Sequence, residues 1–105
     1  MDMKNLKAII ELLDSSNSTE SAFEVGEKYF IRMVTHYMVG KLQDEKDGFL
    51  IFSNASWIAD TGRFADFLKT GEANEVEPVK GLYRVAKTAI IDFFDFSHEL
   101  PSKQK

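Results

Sequence analysis

The sequence predicts a mainly β protein: an N-terminal helix, then a five-stranded, strongly bent antiparallel small barrel with a short helical insert after the third strand. Three observations carry that expectation. Short segments rich in β-branched and aromatic residues recur from Lys28 onward, separated by turn-forming residues. Helical spacing of apolar residues is confined to residues 2–14 and to a stretch around Phe64. The 105 residues suit one domain and are too few for two cores, and nine phenylalanines suit the filling of a thin core. Hydrophobic residues at 44% and charged residues at 29% place the chain among globular proteins rather than disordered ones.

Leu6, Ile9, Ile10, Leu12 and Leu13 form an apolar stripe, with Lys4, Lys7 and Glu11 on other faces, so residues 1–14 read as an amphipathic helix. The stripe can dock on its own domain or on a neighbouring subunit, because so short a helix is marginal alone in water. Residues 15–27 read as a linker that opens with a polar Ser- and Asn-rich run. The barrel occupies residues 28–97, starting with a strand over Lys28–Val34. A bend at Thr35–Tyr37 leads to a second strand through Met38, Val39 and Leu42. The run QDEKDG over residues 43–48 is the strongest turn signal in the chain. The third strand, Phe49–Ala59, alternates Phe49 and Ile51 with Leu50 and Phe52, which predicts burial on both sides.

Asp60 or Thr61 is placed to cap a helix at about residues 61–70 that contains Phe64, Phe67 and Leu68, with Gly71 as its terminator. A strand starting near Val76 continues or resumes through Gly81–Lys87, and the last strand is Ala89–Phe96. Residues 98–105 read as a polar, frayed tail.

The element order resembles the Sm-like family of small barrels, whose N-terminal helix precedes five bent strands related to SH3-like barrels. Gly40-Lys41-Leu42, the turn ending at Asp47-Gly48, Phe49–Phe52 and Asn54-Ala55 are similar to its first motif. Val85–Ile90 stands where the second motif has its Ile-Arg-Gly-Asn turn. The resemblance implies a self-associating module that binds RNA at a polar residue after the first turn and at the second motif. Here those positions hold Leu50 and Ala86-Lys87-Thr88, and only Lys87 and Thr88 retain polarity. The segment Trp57–Phe64 resembles parts of small phage and mobile-element proteins.

Composition narrows the chemistry further. A net charge of −4 with scattered Lys and Arg disfavours duplex DNA. The absence of cysteine removes disulfides, thiolate metal sites and cysteine nucleophiles, and it suits the cytoplasm. Lys4, Lys7 and Glu11 interrupt the apolar stretch that a secretory signal needs, and no run approaches the roughly 20 apolar residues of a membrane span.

His36 and His98 lack metal-ligand spacing, and Asp92 and Asp95 fall on opposite faces of the last strand, one solvated and one paired with a base such as Lys87 or Arg84. No nucleophile elbow or phosphate loop is present, so a non-enzymatic protein with no cofactor is expected. The run Ser56–Phe64 has two readings. One is a strand end with a helix cap and Trp57 as core filler. The other is a recognition patch in which Trp57 stacks on a ring while Asp60, Thr61 and Arg63 surround an anion at a helix N-terminus.

Trp57, Asp60, Thr61, Arg63, Lys87 and Thr88 are therefore the candidate ligand-binding residues. The expected function is a binding or assembly module, a homo-oligomer that binds a nucleotide-like ligand, RNA or a protein partner. Its candidate edges are the strands beginning at Lys28 and Ala89. The competing expectation is a structural or regulatory adaptor, of phage or mobile-element type, that docks through its N-terminal helix.

Overall fold

A computed structural model describes residues 21–105, so the expected N-terminal helix over residues 1–14 lies outside the described residues. Six strands and one helix follow. They are β1 (Lys28–Met33), β2 (Tyr37–Lys46), β3 (Phe49–Asp60), α1 (Phe64–Thr70), β4 (Glu75–Pro78), β5 (Tyr83–Ala86) and β6 (Ile90–Asp95). A 3-10 turn, Lys87–Ala89, joins β5 to β6. All pairings are antiparallel, in the order β4-β3-β2-β1-β6, with β5 also on β3.

The mainly β class is as expected, but the strand count and the closure are not. The expected fourth strand divides into β4 and β5, because Pro78 withholds an amide donor and the chain turns through Lys80 and Gly81. Strand β3 serves both pieces: Phe49–Phe52 pairs with β5, and the stretch from Ser56 to Asp60 pairs with β4. The sheet stays open, since no pairing joins β6 to β4 or β5 among the described residues.

Strand β2 also runs farther than the polar run suggested, through Lys46, leaving Asp47 and Gly48 as a two-residue turn. Both take positive φ, 53° and 80°, the backbone twist that suits a tight hairpin and favours an Asp-Gly pair.

A bulge in β3 decides which side chains share a face. Val39 pairs with Ser56 and Lys41 with Ser53, so Asn54 and Ala55 together oppose Gly40. Asn54 adopts φ 50° to make room for the extra residue. Beyond it the alternation is reversed: Leu50, Phe52 and Ala55 face one core, whereas Ile58 faces another.

The first core joins Tyr29, Ile31, Met33, Met38 and Leu42 to that β3 face and to Val85. The second gathers Phe30, Val39, Ile58 and Val76 beneath Phe67 of α1, with Ala73 and Phe96. Strand β1 contributes to both cores, and so do β2, through Met38 and Leu42 against Val39, and β3, through Phe52 against Ile58. In β3, Phe49 remains 44% exposed and Ile51 is half-buried, contrary to the expected two-sided burial.

Helix α1 covers the second core through Phe67, whose burial contributes roughly 1.5–3 kcal/mol. Phe64, one turn earlier, packs at the margin of that core, and Leu68 turns outward. Arg63, with no side-chain hydrogen bond, occupies the N-cap position in place of the expected Asp60 or Thr61. Gly71 ends the helix as expected, at φ 76°, and its amide donates to Phe67 O at 2.7 Å.

The expected frayed tail is docked instead. Val76 and Lys105 exchange backbone hydrogen bonds of 2.9 and 3.0 Å, and Leu100 packs against the second core. The ring of His98 bonds Leu68 O at 2.8 Å, and its carbonyl accepts from the Lys28 ammonium at 2.5 Å. A tail that reads as polar holds because its backbone completes the β4 edge.

Candidate binding site

The bulge turns Trp57 onto the face that carries the first core, directly opposite Met38 on β2 and Glu77 on β4. Met38 is fully buried, whereas Trp57 stands at the end of that core with 45% of its surface exposed. The β1–β2 connection brings His36 against it, with ring centroids 4.6 Å apart and planes inclined by 37°. Tyr83 on β5 meets the edge of Trp57 at 6.5 Å.

Both nitrogens of His36 are engaged: Nε2 with the Tyr83 hydroxyl at 2.6 Å and Nδ1 with Thr35 Oγ1 at 2.8 Å. Burial holds the imidazole below its ordinary pKa, favouring the neutral ring. The two bonds fix the orientation of the ring. Beside it lies a groove of about 460 Å³ lined by Val34, Thr35, His36, Trp57, Ala59 and Glu77 among others, with no Lys or Arg in its lining among the described residues.

The sequence-derived residues do not converge. Helix α1 covers the second core, on the opposite face of the sheet from Trp57, and Arg63 is exposed at its start. Asp60 ends β3 and is occupied locally: Oδ1 accepts from the Gly62 amide at 2.8 Å and its carbonyl from Asn74 at 2.8 Å. The Thr61 hydroxyl donates to Gly62 O. Helix α1 has only seven residues and no side-chain cap, and Arg63, not Asp60 or Thr61, holds its N-cap position.

Lys87 and Thr88 lie in the 3-10 turn, where the Lys87 amide bonds Gly48 O at the far end of β3. About 25 Å of extended strand separates that end from Trp57. The Lys87 ammonium pairs with Glu45. Burial raises the Glu45 pKa, but hydrogen bonds from Lys87 and Ser21 and the attraction of Lys87 outweigh it and leave the carboxyl below its usual range.

Asp92 is the paired carboxylate of the last strand, but its partner is Arg32, directly across on β1, rather than Lys87 or Arg84. The Arg32 hydrogen bond lowers the Asp92 pKa, and Arg32 itself rises, chiefly through the same bond. The Arg32 guanidinium also lies 5.5 Å from the Phe64 ring centre. Asp95 is exposed, as expected for its opposite face.

Sequence reasoning did not place His36, Tyr83 or Glu77 beside Trp57. Tyr83 lies 47 residues from His36, and only the pairing of β5 and β2 on either side of β3 joins them. Among the described residues, no group of three or more His, Asp or Glu gathers as metal ligands, and no helix is long and apolar enough to cross a membrane. The chain matches no family model and no curated protein.

Proposed function

We propose that this chain is a non-enzymatic binding module that assembles with copies of itself through the free edges of β5 and β6. One contrast carries the reading. The β4 edge is engaged by the chain's own tail at Val76–Lys105, whereas β6 pairs only with β1 and β5 only with β3 among the described residues. Ile91 on β6 is 62% exposed, and an apolar, unpaired strand is a template for another strand. Of the two edges expected from sequence, the last strand is one, while β1 is internal.

Because the two open edges belong to different strands, joining β5 of one copy to β6 of the next makes a head-to-tail contact. Such contacts close into a ring when the rotation allows. The resemblance to Sm-like barrels agrees with this mode. Assembly leaves the Trp57 groove as the surface for a ligand.

Ile91→Lys puts a charge on the β6 edge without touching either core. Analytical ultracentrifugation should show an oligomer for the unmodified chain and a smaller, folded species for the variant. Identical sedimentation of the two as one oligomer would remove β6 from the interface.

A further inference from the structure

Trp57 is the only tryptophan of the chain, and it is held rather than loose. His36 lies against it, and Thr35 and Tyr83 fix His36 in turn. The indole therefore offers a surface whose orientation is set before any ligand arrives, which limits the ordering cost of binding.

The charges around it have one sign. Glu77 is directly opposite Trp57 in the β3–β4 register and lines the same groove, and among the described residues no Lys or Arg lines it. One Glu77 oxygen accepts from the Gln104 amide at 3.1 Å, which positions the carboxylate and leaves its second oxygen for a ligand. The face of an aromatic ring is electronegative, so ring and carboxylate both attract a cation and both oppose a phosphate. Val34, 86% exposed, and Ala59 add apolar wall suited to an aliphatic stem. A planar guanidinium fits better than an ammonium here, because it can stack on the indole while its edge meets the carboxylate.

We propose that the groove between Trp57 and Glu77 takes an arginine side chain from an exposed segment of a partner protein. This goes beyond assembly and does not depend on it, since the groove lies within one copy.

The lone tryptophan makes the test site-specific, because fluorescence excited at the red edge of tryptophan absorption reports Trp57 alone. The full chain is titrated with acetyl-Gly-Arg-Gly-amide, with the same peptide carrying citrulline in place of arginine, and with uridine 5′-monophosphate. The arginine peptide should change the emission saturably, and the neutral citrulline peptide should bind about tenfold more weakly. Glu77→Gln should weaken arginine binding by about threefold or more without altering the thermal midpoint. Equal affinity for the arginine and citrulline peptides, no response to the arginine peptide up to tens of millimolar, or tighter binding of the nucleotide would overturn the proposal. The wild-type peptide comparison stands whether or not the Glu77 variant folds, and ultracentrifugation of the same samples reports assembly separately.

Discussion

His36 in the β1–β2 connection and Trp57 on β3 lie with ring centroids 4.6 Å apart and planes inclined by 37°. The Tyr83 hydroxyl, bonded to His36 Nε2, ties this pair to a third strand. The contact closes one end of the first core, and it works with a neutral imidazole.

Stability should therefore depend on pH through His36. Burial lowers its folded pKa below the ordinary value of 6.5, so the unfolded chain binds the proton more readily. This contribution is fully present above about pH 6.5 and is lost as pH falls through the folded value. Asp92 and Glu45, both with lowered pKa values, lose theirs only in the more acidic carboxylate range. Urea unfolding at pH 7.5 and 5.5 should show lower stability at 5.5. His36→Gln should reduce that difference, and an unchanged difference would contradict the assignment.

Gly71 is constrained twice. Its φ of 76° disfavours a side chain, and an added Cβ would lie 2.4 Å from the His98 Cβ. Gly48 shares the positive φ, at 80°, but faces open space. Gly48→Ala should cost about 1–2 kcal/mol from backbone strain alone. Gly71→Ala should cost about 2–4 kcal/mol, the excess being overpacking against the tail. His98→Gly should relieve that excess in the double variant. Equal losses at the two glycines would mean that the tail does not pack there.

Removal of residues 98–105 should lower stability by roughly 2–4 kcal/mol, measured by urea denaturation. Leu100 leaves the second core and Val76 loses both bonds to Lys105. The newly bare β4 edge should also raise aggregation. A truncated chain with an unchanged urea midpoint would show that the tail is not docked in solution.

Local pattern predicts much of this architecture, and one irregularity limits the rest. The Asp47–Gly48 turn, the β-rich segments and the Gly71 terminator depend on neighbours in sequence, so they are legible there. The face on which Trp57 lies is not. Alternation counted from Leu50 puts Trp57 with Phe49 and Ile51, and the extra residue at Asn54–Ala55 moves it to the face of Leu50 and Phe52. Asn54, a residue type that tolerates positive φ and is uncommon inside strands, is the one local mark of that bulge.

The proposed patch of Trp57 with Arg63 consequently divides between the two faces, and a different cluster forms from residues distant in sequence. The same limit explains the tail. Polarity suggests fraying, but the backbone of Lys105 finds an unpaired strand, which side-chain composition does not report.

The direct test of self-assembly is native mass spectrometry of the unmodified 105-residue chain at micromolar concentration. Assembly through β5 and β6 predicts one dominant species at an integral multiple of the 12.0 kDa protomer. A spectrum containing only the 12.0 kDa monomer across that range would contradict the account.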